Sequence, residues 1–396
     1  MKVALVHDWL TGMRGGERVF ERLCRMFPDA PVYTLVWNRG SVSSAIESHP
    51  IHTSFLQRLP DAARRYRWFL PLFPRAIESF RLPAVDAVIS TSHAVAKSVI
   101  PPPGAFHLSY LHTPMRYIWE LETQYFPPGR FPWPLSWYVR WTCARLRRWD
   151  VATATRAHAM LANSAHVAAR IHRHYGREAE VVYPPVDLER FRAEERPRDY
   201  YLLAGAMAPY KNGALAIQAC AQLGRPLKVV GIGQESMKLR AMASSDVEFR
   251  GWVTEREMAE LLAGARALLF PGEEDFGILP VEAMASGCPV VALGKGGVLE
   301  TVGRGADAES LAAVARGGAA RAPGGVMFGE PSVESLIEAI RLFESHPVDG
   351  EGLRRLAEPF AAERFDREFR SAFDRERAVW LERGSPQRAE RASAAS

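Results

Sequence analysis

The stretch Phe270–Val302, FPGEEDFGILPVEAMASGCPVVALGKGGVLETV, decides how this chain folds. The apolar run Ala267–Phe270 ends at Pro271-Gly272 and reads as a buried strand closed by a turn. A loop with three acids, Glu273, Glu274 and Asp275, then leads into Phe276-Gly277. From Leu279 to Ser286 the pattern predicts a short helix, with Pro280 in its first turn and Gly287 just past its end. Pro289–Leu293 is a second apolar strand, closed by Gly294-Lys295-Gly296-Gly297. Strand, loop, helix and strand make a βαβ unit, and such units bind ligands at the carboxyl ends of their strands. The backbone N–H groups of Phe276, Gly277, Ile278 and Leu279 would point out of the helix N-terminus, where an anion is stabilised. Glu274 and Glu282 stand beside that position, one in the loop and one on the helix. A carboxylate beside an anion site is repelled unless it accepts hydrogen bonds from hydroxyls, which sugars and riboses supply.

Outward from this stretch, the same alternation of strand and helix repeats along the chain. On the N-terminal side Lys2–Val6 is a β-type run ending at His7-Asp8-Trp9. The loop Thr11–Gly16 then enters a helix with apolar positions Val19, Phe20, Leu23 and Met26. Gly15-Gly16 suits either a tight turn or a close backbone approach to phosphate. Val85–Ser90 and His107–Leu111 are further strands, the second ending in His112-Thr113-Pro114. A lone histidine at such a place is usually structural. Leu161–Ser164 reads as strand into turn, His166–Tyr175 as a basic helix, and Val181–Val186 as a strand. The charged stretch Glu189–Asp199 lacks apolar periodicity and reads as a linker. Tyr200–Ala204, Leu227–Gly231 and Val247–Trp252 are strands beyond it, and Glu334–Phe343 is an amphipathic helix. The expected organisation is α/β, with two doubly wound Rossmann-like domains at 1–195 and 196–360. An aromatic-striped helix at 361–383 and a disordered tail at 384–396 complete it.

At this point the chain resembles a known family. The run E-x-F-G-x-x-x-x-E, then E-A-M-A-x-G-x-P-V-V-A and G-G-x-x-E, is similar to the donor site of retaining glycosyltransferases of the GT-B fold, family four. YLHTPMRYIWE resembles a second signature of the same enzymes, closest to mannosyltransferases of surface-polysaccharide synthesis. The resemblance runs from Gly15-Gly16 to about Glu300. It implies two domains with a cleft between them, a nucleotide-sugar donor on the second and an acceptor on the first, and a final helix that packs back on the first. By resemblance, His112 contacts the transferred sugar and Gly15-Gly16 faces the diphosphate. Glu282 would accept from the ribose hydroxyls, while Glu274 and the N–H groups of Phe276–Leu279 would hold the sugar. Lys211 would sit on the diphosphate, where a compact cation offsets the leaving group's charge. No cofactor and no metal are implied. One position departs from the pattern: Ala206 stands where the family has an arginine that clamps the diphosphate. A non-catalytic nucleotide-sugar binder is therefore the alternative reading, and base, sugar and acceptor stay open, with GDP-mannose the leading guess.

Bulk properties exclude several other classes. The 396 residues carry 50 basic and 45 acidic side chains, a net charge of +5. The four scattered cysteines show no metal-ligand spacing and suit a reducing cytoplasm. No apolar run approaches a membrane span, and Asp8 stands too early for a signal peptide. A dinucleotide-dependent dehydrogenase would need Gly-x-Gly-x-x-Gly after the first strand, and it is absent there. No nucleic-acid-binding motif accompanies the mild basicity. Arg130–Asp150, RFPWPLSWYVRWTCARLRRWD, predicts a helix with Leu135, Tyr138, Val139, Thr142, Leu146 and Trp149 inward and Trp137, Trp141, Arg145 and Arg148 outward. That outward face suits an anionic membrane surface or a covering helix. Arg64–Phe69 is a second such patch.

Overall fold

The computed structural model describes residues 1–127, 129, 132–191, 198–346 and 350–393, with side chains to residue 384. The chain forms two compact units, Met1–Pro185 with Phe365–Ser396, and Val186–Arg364.

The first unit is built on seven parallel strands: β1 (Val3–His7), β2 (Val32–Thr34), β3 (Ile51–Thr53), β4 (Ala87–Ser92), β5 (Phe106–Leu111), β6 (Ala159–Ala162) and β7 (Glu180–Val181). Their order across the sheet is β3-β2-β1-β4-β5-β6-β7. The interior strand β1 is buried at every residue and divides its side chains between two cores. Val3 and Leu5 pack on one face, Ala4 and Val6 on the other. A parallel strand covered on both faces must be apolar throughout, which is why VALV shows no alternation. Helix α1 (Gly15–Met26) lays Val19, Phe20 and Leu23 on the first face. Helix α2 (Leu135–Thr153) covers the second face with Cys143 and Leu146.

The second unit has β8 (Tyr200–Ala204), β9 (Leu227–Val230), β10 (Val247–Gly251), β11 (Ala265–Phe270), β12 (Val290–Leu293), β13 (Ala319–Ala322) and β14 (Gly325–Phe328), ordered β10-β9-β8-β11-β12-β14-β13. Among the described residues, only the β13–β14 pair is antiparallel. Helix α3 (Ile278–Ala285) joins β11 to β12, so Phe270–Val302 contains the helix and second strand of the βαβ unit its pattern predicts. A last helix, α4 (Ala362–Ser393), places Phe365, Phe369, Ala372 and Phe373 in the first unit's core beside Phe106 and Tyr110.

Several expectations are corrected. The first unit ends at Pro185, not at 195, because Val186 donates its N–H to the Phe360 carbonyl at 2.9 Å and pairs with Ala361. Charge marks the loop, but packing sets the boundary, and the linker's centre at 192–197 lies outside the described residues. The strand expected over Val181–Val186 stops at Val181, since Pro184 and Pro185 have no N–H to give a ladder. The strand expected over Val85–Ser90 runs instead from Ala87 to Ser92, and the single turn Ala96–Ser98 comes after it. The tail from Gly384 continues α4 as helix to Ser393, while 394–396 lie outside the described residues. Leu135 and Tyr138 are exposed rather than inward, because α2 buries a face only from Thr142 onward.

Candidate functional site

In the second unit, three loops meet at the carboxyl ends of adjacent strands: 205–212 after β8, 271–277 after β11 and 294–297 after β12. Glycines let them approach. A side chain on Gly272 would put its Cβ 2.7 Å from the Lys211 Cα, and one on Gly297 would lie 2.3 Å from the Phe276 Cα. Neither contact leaves room for more than hydrogen, so these positions fix loop against loop. Polar contacts complete the lock. Asn212 donates its side-chain N–H to the Pro271 carbonyl at 3.1 Å, and Gly297 donates its N–H to the Glu274 carbonyl at 2.9 Å.

This frame brings together the residues the sequence predicts. Lys211 and Glu274 form an ion pair, both largely shielded, with the Lys211 ammonium also 5.4 Å from the centre of the Phe270 ring. The hollow beside Lys211 is lined by Ala206, Met207, Leu239 and Phe270. Gly277, in the left-handed region at φ 85°, caps α3. Phe276 is buried edge-on against Phe360, which anchors the loop from below. Ile278 and Leu279 follow at the helix start, and Glu282 lies one turn further on, buried. A cation, a row of helix N-terminal amides and two carboxylates therefore occupy one sheet edge.

The first unit gathers a second set. His112 directly follows β5 and lies against the start of α1: a Cβ on Gly16 would stand 3.5 Å from the His112 Nε2. Gly15 and Gly16 are the first two residues of that helix, and neither takes a left-handed conformation. Burial, and secondarily nearby His93, push the His112 pKa down to about 3, so its imidazole is neutral. The structure adds residues to which the sequence reading assigns no role. His7, His93 and His112 stand with ring centres 5.8–6.5 Å apart. Buried Asp8 accepts four backbone N–H groups, from His93, Ala94, Val95 and Ala96, at 2.6–2.8 Å. Its carboxylate also faces the His93 Nδ1 at 3.3 Å. Glu17, in the first turn of α1, is buried and its pKa is pushed up to about 7 by that burial. The signal in the sequence was His7-Asp8 at a strand end, legible as a position but not as a cluster.

Two tandem units with mainly parallel sheets, each with polar side chains at the carboxyl edge, define the GT-B class of glycosyltransferase architecture. Residues 13–190 match the family described as Glycosyltransferase Family 4, and residues 198–341 that described as Glycosyl transferases group 1. The chain belongs to this glycosyltransferase family. A D-inositol 3-phosphate glycosyltransferase of Streptomyces scabiei is 31% identical over 174 residues, 35% of this chain and 39% of that protein. The O-antigen chain mannosyltransferase RfbU of Salmonella typhimurium is 32% identical over 120 residues, 28% of this chain and 34% of its own length. These matches thus span about two-fifths or less of the curated relatives. Anabaena HepE, solved in complex with UDP and glucose, shares the fold at a TM-score of 0.63 and 15% identity, covering 94% of this chain and 99% of HepE.

Proposed function

We propose that the protein is a retaining hexosyltransferase. It moves a sugar, with mannose from GDP-mannose the leading candidate, from a nucleotide sugar to a glycan or lipid-linked acceptor in polysaccharide synthesis. The observation that carries this reading is the set Lys211, Glu274, Glu282 and the amides of Phe276–Leu279, held on one sheet edge by interlocked loops. A nucleotide sugar asks for charge compensation at its diphosphate and for acceptors at its hydroxyls, and this set offers both. Glu282 accepts from the ribose, Glu274 and the helix amides hold the sugar, and Lys211 meets the diphosphate. Lys211 and Glu274 already compensate each other, so donor entry is an exchange. The ammonium trades a carboxylate for phosphate, and the carboxylate trades the ammonium for sugar hydroxyls. In the first unit, Gly15-Gly16 would face the diphosphate, and the neutral His112 imidazole would reach the transferred sugar.

The choice of mannose is supported by the HTPMRY signature and by likeness to a relative named as a mannosyltransferase. HepE was crystallised with UDP and glucose, so uridine and guanosine donors both belong in the test. The four cysteines are free and buried, as suits a cytoplasmic enzyme. Ala206 favours one competing reading, a sugar-nucleotide binder without turnover, since no guanidinium can reach the diphosphate from that position. A panel of nucleotide sugars screened by thermal shift, then by turnover with and without excess EDTA, decides between them. The proposal expects one donor to stabilise the protein and to be consumed in EDTA. Stabilisation without consumption would leave the binder. Loss on chelation with recovery on added magnesium would replace the lysine-and-amide account of the diphosphate.

A further inference from the structure

The glycosyltransferase reading leaves unused the aromatic and basic start of α2. Its first two turns stand clear of the core: from Leu135 to Trp141, only Ser136 and Val139 are even partly covered. Trp137 is 60% exposed, and Leu135, Tyr138 and Trp141 each more than 40%. Trp133, just before the helix, is 82% exposed. The rings form one raft: Trp137 stacks on Trp141 at 6.4 Å and Tyr138 on Trp141 at 6.1 Å. Under a neighbouring helix these rings would be buried; here they face solvent together, and an apolar patch of that kind marks an interaction surface.

Charge says what covers it. Leu135–Trp149 holds four arginines and no acid. Arg147 is paired with Glu122, but Arg140, Arg145 and Arg148 are exposed and make no ion pair among the described residues. The Arg145 guanidinium stands 5.7 Å over the Trp141 ring, which holds cation and ring at one level. A second patch borders the same core: Trp68 is 84% exposed beside exposed Arg64 and Arg67, while Tyr66, Phe69 and Leu70 pack in the cluster that holds Val139, Cys143 and Leu146. Tryptophan at headgroup depth with arginine beside it is the chemistry of an anionic bilayer surface, where the ring is half buried and the cation meets lipid phosphate. Among the described residues no helix is long and apolar enough to cross a membrane, so the contact is peripheral.

We infer that Trp133–Arg148, helped by Arg64–Trp68, is a docking surface for an anionic lipid bilayer. The surface stands on these side chains alone. Its use, bringing the enzyme to a lipid-linked acceptor, rests on the function proposed above. The test is sedimentation with vesicles of phosphatidylcholine, with and without phosphatidylglycerol. It compares wild type with a Trp137→Ser/Trp141→Ser/Arg145→Glu/Arg148→Glu variant, whose melting temperature should match because all four side chains are exposed. Wild type should pellet with the phosphatidylglycerol vesicles and be released by salt. The variant should partition less by at least about thirtyfold, the effect of losing two arginines alone from an anionic surface, with the two new carboxylates and the lost rings adding to it. Equal binding by both proteins, binding by neither, or a wild-type dimer that the substitutions make monomeric would overturn the proposal. None of these outcomes depends on turnover, so donor chemistry and docking fail separately.

Discussion

At the residue scale, the proposed function divides the site into groups that bind and groups that act at the sugar. Glu282 is buried on α3, at the place assigned to the ribose. Replacing it with alanine should weaken donor binding by about 1–3 kcal/mol, the cost of leaving a charged hydrogen-bond network one partner short. Glu274→Ala and His112→Ala should lower turnover more than binding, because the proposed function has both act at the transferred sugar. Calorimetric titration of the donor alongside steady-state rates checks the split, and wild-type turnover in all three variants would remove the assignment. Glu274 carries a further consequence, since its loss releases Lys211 from the pair. The freed ammonium should bind the bare nucleoside diphosphate no more weakly than in wild type.

At the element scale, what positions these side chains is the contact among three loops, and its sensitive point is glycine. Gly297→Ala would press a Cβ to 2.3 Å from the Phe276 Cα and about as close to neighbouring backbone oxygens. The loops must part, at a cost of about 1–3 kcal/mol, as when a packed core is overfilled. A thermal melt should show that loss together with weakened donor binding; an unchanged melt and titration would mean that the loops are not locked here. The sequence made the elements of this region legible because punctuation and periodicity agree there. Pro271-Gly272 closes β11, Gly287 stops α3, and VVAL suits only a buried strand. It did not show that Lys211 and Glu274 are partners, because ion pairing depends on how two distant loops approach. Nor did it show that Asp8 binds four amides of a turn 85 to 88 residues away. The inner face of α2 was misjudged for a related reason. Periodicity assigns a face to a whole helix, whereas burial begins only where the neighbouring core does, at Thr142.

At the scale of the whole molecule, buried histidines set the response to acid. His107 and His112 have pKa values pushed down to about 3, chiefly by burial, and His7 is also held well below its ordinary value. An unfolded chain takes up these protons near pH 6.5, but the folded one refuses those of His107 and His112 until about pH 3 and that of His7 until well below its ordinary value, so stability falls as pH drops below 6.5. Glu17, raised to about 7, acts the other way, losing stability as pH rises from 4.5 to 7, but it is one group against three. Melting temperatures should therefore decline from pH 6.5 toward pH 4, and a flat profile would contradict the histidine account. The helix α4 has a consequence of a different kind. Phe365, Phe369, Ala372 and Phe373 complete a core whose other buried members lie before Pro185, with about 180 residues of the second unit between them. At ~5–20 residues per second, a ribosome needs roughly 10–35 s to make that interval. Throughout it, Phe106 and Tyr110 wait without their partners. The half of the protein made first is thus the half that closes last, and during translation it is the part with most need of a chaperone.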